Sequence, residues 1–526
     1  MLESWCALSD SLVWKILQNF YISMGVDSWS KNIIPNRLTT NAYIAGQYAQ
    51  MIAEHMQDLP ILPVSDHEKQ PVFTIIELGA GHGKLGFLLL QHLDMIAQTP
   101  NIKLPKFRYV MTDLAERNIQ FWQDNKQLKP FAKSGLLDFA VFKAGTDQQI
   151  TLINSGEVIS TRNKADHIIA IGNYFFDSLP LDYFKITDGG LYECQSAIAI
   201  KEGKSVTNVM DPDTNDKLEL RWQEKEISLP HYDNSVVDNI LSTYAAMQGN
   251  FYFNIPVCAY KMLSSLKAMC RHEIIVISAD KGFASLEQMR SWYRKPPSLY
   301  CQGSYSFMVN FHALGQWFEN NGGFYEVTSQ RKGLLELAVY CSDGPREKYK
   351  ALYRNFITSI EPFSPTDFYT LVSNEQSRKS PHSLTKLLSI IRFSKYDPDI
   401  FYRYRNVIRK QINGAHKDDI RDLKLALPKI LKMHYHLGSR DIPFVIGRIY
   451  HRLKMYKEAI ENYKISLSRF GENHINYYNI GLCFYRIELY EQALKAFKQS
   501  LKMTQNAVDT QEWIGKTRRK IPLHLE

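Results

Sequence analysis

The sequence predicts a doubly wound α/β domain with a β-rich insertion, followed by an all-α repeat region. Three observations carry this. Short apolar runs alternate with helical stretches from Ile75 onward, a glycine-rich turn joins the first run to its helix, and residues spaced by thirty-four recur after position 440.

Alternation of apolar runs with longer helical stretches is the mark of parallel strands joined by crossover helices. Candidate core strands cover 72–78, 109–112, 139–142, 167–172 and 273–278, with a closing hairpin over 324–329 and 334–341. Parallel strands buried on both faces read as unbroken apolar runs, as Ile168-Ile169-Ala170-Ile171 and Ile274-Ile275-Val276-Ile277 do. A long polar stretch rich in Asp and Asn, about 185–250, is expected to be an inserted β-rich lid or arm. Residues 11–24 and 40–56 carry helical spacing, the second with Thr39 or Thr40 as N-cap. These helices, within roughly the first 60 residues, are expected to pack on the sheet or cap its ligand.

The 526 residues exceed one ordinary domain. A turn cluster at Ser342-Asp343-Gly344-Pro345 sets the first expected boundary, and 376–381 is a second soft point. The expected division is 1–345, a helical linker or degenerate repeats over 346–440, and repeats over 441–526. Of 63 Lys+Arg and 54 Asp+Glu, 33 and 18 lie from 346 on, so the C-terminal part carries +15 and the first 345 residues −6. A basic C-terminal region attracts acidic partners, while a solvated helical surface reads the same way. Seven scattered cysteines without CxxC spacing point to a reducing compartment and no structural zinc. Glu3 and Asp10 at the N-terminus and the lack of any apolar run of about 20 residues lead to the expectation of a cytoplasmic protein without a membrane span.

In the repeat region Gly447, Gly481 and Gly515 are thirty-four apart, as are Ile446, Ile480 and Ile514. Tyr450 matches Phe484, Ala459 matches Ala493, Tyr463 matches Phe497 and Leu467 matches Leu501. The period resembles that of the tetratricopeptide helix pair, whose small residues let helices approach while aromatics fill the gaps. The resemblance implies a protein partner or substrate held by the repeats, with nucleic acid unlikely. The oligomeric state has no signal in the sequence.

Chemistry concentrates at Glu77-Leu78-Gly79-Ala80-Gly81-His82-Gly83, directly after an apolar strand and before the helical pattern of 87–93. Glycines there remove Cβ atoms so that backbone can approach a ligand. Gly81-x-Gly83-x-x-Gly86 also fits a dinucleotide fingerprint, but the carboxylate two residues before Gly79 suits a ligand bearing an ammonium and a sulfonium better than a pyrophosphate. The segment resembles motif I of class I methyltransferases, which implies S-adenosyl-L-methionine as cofactor and places Glu77, Gly79, Gly81 and Gly83 on its methionine and ribose side. Asp113, with Leu114 beside it at the end of the second strand, is expected to take the ribose diol, although a helix cap reads the same way. Asp138-Phe139 resembles the acidic and apolar pair that holds adenine.

After the fourth strand comes Gly172-Asn173-Tyr174-Phe175-Phe176-Asp177-Ser178-Leu179-Pro180. It resembles the Asn-Glu-Phe-Phe-Asp-Ala-Leu-Pro motif of MidA-type methyltransferases, the family of a mitochondrial complex I assembly factor credited with protein-arginine methylation. Asp280-Lys281-Gly282 and the segment from Gly303 to Phe311 agree, and the likeness covers about 36–341. It implies Asn173 and Asp177 as residues orienting the methyl acceptor. Tyr174 stands where the family has Glu and so does Asn254, which weakens an arginine acceptor, since carboxylates are what a guanidinium pairs with. Two readings follow: a methyltransferase of protein acceptors, or a degenerate cofactor-binding scaffold whose repeats act as an adaptor.

Overall fold

The computed structural model describes residues 1–526 apart from 32, 35–36, 60–69, 189, 293–294, 298–303, 330–334, 374–382, 439, 505–506 and 522–526. The soft point at 376–381, Leu334 and Gly303 therefore lie outside the described residues. The chain divides into two compact units, Met1–Leu371 and Val372–Glu526.

In the first unit, β1 (Phe73–Glu77), β2 (Phe107–Asp113), β3 (Leu137–Val141) and β4 (His167–Asn173) begin the main sheet. The insertion follows as β5 (Asp182–Thr187), β6 (Gly190–Ile200), β7 (Leu218–Glu226) and β8 (Phe251–Ile255). The main sheet resumes with β9 (Ile274–Phe283) and ends with β10 (Phe324–Val327) and β11 (Leu335–Cys341). Its order is β10-β11-β9-β4-β1-β2-β3. The strands β3, β2, β1, β4 and β9 run parallel, and β11 enters antiparallel between β9 and β10. Register pairs Ile75 with Tyr109 on one side and with Ile169 on the other, so the apolar runs read from the sequence stack in the centre of the sheet. The chain reverses its direction of winding between β1 and β4, the place where open α/β sheets leave a crevice at the carboxyl ends of their strands.

The inserted strands form a separate antiparallel sheet in the order β8-β5-β6-β7, with a helix, Ser235–Ala245, between its last two strands in sequence. The N-terminal segment adds to it: Leu2 N–H donates to Ile198 O at 2.7 Å and Cys6 bridges Ser196. From there the chain enters α1 (Leu12–Met24) and the short α2 (Asp27–Ser30). Helix α3 (Ala42–Asp58) is capped by Asn41, not by Thr39 or Thr40 as the sequence reading expects. The Asn41 side chain accepts Ile44 N–H at 3.0 Å, while the two threonines are buried just upstream. Helix α4 (Lys84–Ala97) leaves the glycine turn.

The first unit continues past the turn cluster of 342–345. Ala351 N–H donates to Asp58 at 3.1 Å, and the rings of Tyr43 and Phe368 stack at 4.4 Å, which ties residues 346–371 to α3.

Among its described residues the second unit has helices and no strands, including Leu384–Phe393, Pro398–Gln411 and Lys417–Met433 ahead of the periodic segment. Two helix pairs follow, Ile442–Arg452 with Tyr456–Phe470 and His474–Arg486 with Tyr490–Lys502, then Val508–Arg518. The thirty-four-residue period has a direct cause: a Cβ on Gly447 would lie 2.7 Å from the Tyr463 ring, and one on Gly481 would lie 2.6 Å from the Phe497 ring. Each glycine admits the aromatic of its partner helix.

Candidate active site

The carboxyl ends of β1, β2, β3, β4 and β9 open into a cavity of about 630 Å³. Its floor is the turn that leaves β1. Gly79 and Gly81 have φ of 61° and 55°, left-handed values that side chains resist. A Cβ on Gly79 would meet Phe175 at 2.9 Å, and one on Gly81 would meet the Trp29 ring at 2.8 Å. Here the structure revises the sequence reading: the missing Cβ atoms first admit two aromatic rings, which then share the cavity wall with the turn. Gly83 does not line the cavity; its open face meets Met111 and Trp122.

Glu77 closes the floor. It is buried, accepts the Tyr109 hydroxyl at 2.9 Å, and is pushed up to about 8 by burial, with the Tyr109 bond opposing the rise. Asp113, also buried, accepts Gly81 N–H at 3.0 Å and Ala115 N–H at 2.9 Å, so it fixes the turn while lining the cavity with Leu114. Burial raises its pKa.

Asp138 and Phe139 are not brought to this cavity. They lie near the start of β3, where Asp138 accepts Phe139, Asn154 and Ser155 N–H groups and Phe139 packs against Trp122. The wall on this side is Phe142 and the loop 143–146, past the strand's carboxyl end. Strand direction could have indicated this, since a parallel sheet offers its ligand the residues after the strand.

Asn173 ends β4 and lines the cavity with its side chain engaged: Oδ1 accepts the Tyr48 hydroxyl at 3.0 Å and Ala279 N–H at 3.1 Å, and Nδ2 donates to Thr39 O at 3.1 Å. Tyr174 follows with φ of 48°, its N–H held by Ala279 O at 2.9 Å. That strained residue turns the chain so that Phe175 and Asp177 face the cavity. Asp280, at the carboxyl end of β9 and fully buried, accepts both Phe175 and Asp177 N–H groups at 3.1 Å. Asp177 is pushed up to about 7 by burial, with Lys281 opposing, and Asp280 is raised further by burial and by Asp177. Among the described residues no side chain hydrogen-bonds the Asp177 carboxylate, whereas Asp280 is spent on the loop.

The N-terminal helices, expected to pack on the sheet or cap its ligand, supply the remaining wall, through side chains that carry no local sequence signal. Tyr21 of α1 stacks on Trp29 of α2 at 6.1 Å and shares a 3.3 Å contact with Ser304. Asn254 is absent from the cavity. It is fully buried in β8, donating to Met308 O at 2.9 Å, so it belongs to the insertion's core and not to the cavity wall.

No group of His, Cys, Asp and Glu suited to a metal ion occurs among the described residues, and no described helix is long and apolar enough to cross a membrane.

Residues 51–277 match the sequence profile of a family described as "Putative S-adenosyl-L-methionine-dependent methyltransferase", and residues 444–506 match that of the tetratricopeptide repeat. No curated protein matches the chain. Among solved structures it is similar to an uncharacterized superfamily protein from Burkholderia thailandensis, at 12% identity and TM-score 0.40 over 66% of this chain and 90% of that one. A member of that superfamily from the same organism, bound to S-adenosyl-homocysteine, gives 14% identity and TM-score 0.40 over 64% of this chain and 87% of that one. The profile matches make the first region an S-adenosyl-L-methionine-dependent methyltransferase, with that compound as cofactor, and the C-terminal region a set of tetratricopeptide repeats.

Proposed function

We propose that the enzyme methylates a protein acceptor, that the cavity at the carboxyl edge of β1, β2 and β4 is its active site, and that the repeats recruit the acceptor. The observation that carries this is the arrangement of three buried carboxylates, Glu77, Asp113 and Asp177, around one cavity with aromatic walls. The residues fit the cofactor: the buried acids Glu77 and Asp113 oppose its ammonium and sulfonium charges, and Trp29, Tyr21 and Phe175 supply aromatic wall. Glu77 and the turn at 78–82 hold the methionine and ribose end, Asp113 and Leu114 the diol, and Phe142 with its loop the adenine.

The cofactor supplies a methyl group already activated on a sulfonium. The chain's own residues align the acceptor with that group and hold its proton. Asp177, at about 7, stands poised to accept a proton from the attacking atom near neutral pH. Asn173 is a positioning residue, since its amide ties β4 to β9 and to the segment before α3. Membership of the MidA-type branch and an arginine acceptor remain the finer reading, resting on the Asn173 to Pro180 resemblance, and 1–345 with 441–526 remain the functional division. Calorimetric titration of the full chain with S-adenosylmethionine tests the site, with a micromolar constant expected, about −7 to −9 kcal/mol. Absence of binding in the wild type would sink it.

A further inference from the structure

Charge in the cavity is layered. Its buried acids, Glu77, Asp113 and Asp177, lie on the floor, while the exposed charged residues of its lining are four lysines, Lys15, Lys143, Lys261 and Lys281, and one acid, Asp10. The background runs the other way, since the first 345 residues carry −6. Lys281 acts on Asp177, but no ion pair joins Lys15, Lys143 or Lys261 to a carboxylate among the described residues.

Lys143 and Lys261 share a neighbour, Cys258. Lys143 follows β3, and Lys261 lies in the first turns of the helix Val257–Ala268. Cys258 joins them: its N–H donates to Pro180 O at 3.1 Å and its thiol to Ala144 O at 3.5 Å. Both ammonium groups act on that thiol, lowering a pKa that burial raises. Two like charges thus stand beside the Asn173 to Pro180 loop; Asp147 accepts the Lys143 N–H at 2.6 Å, but neither ammonium is in an ion pair among the described residues, an arrangement that an anionic ligand relieves.

We infer that the rim at Lys143 and Lys261 selects an acceptor segment rich in Asp or Glu, which docks beside the loop bearing Asp177. The inference rests on the proposed reading of the cavity as a methyl-transfer site for a protein. It names what that reading leaves open, the charge character of the acceptor. A peptide is favoured over a nucleic acid because the net negative first region repels a long polyphosphate, whereas a local pair of lysines accommodates a short acidic cluster.

The test is site-resolved lysine acylation of the full-length protein, saturated with S-adenosylhomocysteine and read by mass spectrometry. The probes are a short oligoglutamate and an oligothymidylate of equal charge, with Lys129 and Lys133, exposed and outside the cavity, as internal references. Oligoglutamate should slow acylation of Lys143 and Lys261 by about fivefold or more relative to the references, and oligothymidylate by less. The K261E variant should lose the protection at Lys143 while binding S-adenosylhomocysteine as the wild type does. Equal acylation with and without oligoglutamate, or stronger protection by oligothymidylate, overturns the inference. If S-adenosylhomocysteine itself fails to bind, the cavity assignment falls instead, so the two failures are distinct.

Discussion

The glycine turn of the sheet and the repeat glycines of the second unit solve one packing problem with different backbones. In both places a missing Cβ admits an aromatic ring: Phe175 and Trp29 against Gly79 and Gly81, Tyr463 and Phe497 against Gly447 and Gly481. The repeat glycines sit within helices, so only the ring's space constrains them. The turn glycines also hold left-handed φ values, so conformation constrains them as well. A motif glycine and a periodic glycine therefore look alike in a sequence but differ in what a substitution costs.

The largest effect is expected for Gly81→Val. Left-handed backbone costs a side chain about 1–3 kcal/mol, and displacing the Trp29 ring costs about as much again. Cofactor titration should show binding abolished, with the unfolding of the repeats unchanged. For Gly481→Val only the ring term applies, so the repeat unit should lose about 1–3 kcal/mol in thermal unfolding while cofactor affinity holds. If both variants damage cofactor binding equally, the two regions are not independent in the way the comparison requires.

A subtler test uses the acids of the floor. Glu77 at about 8 and Asp177 at about 7 are protonated more readily than ordinary carboxylates, and only their ionised forms attract a cation. Glu77 faces Tyr109 and Asp113; Asp177 faces Asp280, Lys281, Tyr21 and Tyr174. Because the Glu77 value is raised, affinity for S-adenosylmethionine should rise with pH through about 8 and level off above, with Asp177 acting on turnover instead. Glu77→Gln should flatten that rise, as calorimetry at several pH values would read. The smallest effect belongs to Gly515, where a Cβ meets nothing within 4 Å. Gly515→Ala should stabilise the last helix by up to about 1 kcal/mol, seen as a small upward shift in thermal unfolding.

What could be read in advance follows the same physics. Buried parallel strands announce themselves as apolar runs, and 167–172 and 273–278 fall within β4 and around the start of β9. The repeat period is legible because Gly447 with Tyr463 and Gly481 with Phe497 recur at one spacing. Pairings across distance are not legible. Asp280 meets the Asp177 loop from 103 residues away, and Tyr21 and Trp29 reach the cavity from the N-terminal helices. Phe142, just past the end of β3, is overshadowed in the sequence by the pair Asp138-Phe139 on that strand, four and three residues earlier, which points elsewhere.

The account turns on Asp177 as the group that serves the acceptor and not the cofactor. The measurement is transfer of a tritiated methyl group from S-adenosylmethionine to lysate proteins by the wild type and by Asp177→Asn, each at saturating cofactor. Labelling by the variant should fall on the order of a hundredfold or more, while its affinity for S-adenosylhomocysteine stays within a few fold. Undiminished labelling by Asp177→Asn would contradict the account, and so would a loss of cofactor affinity equal to the loss of labelling.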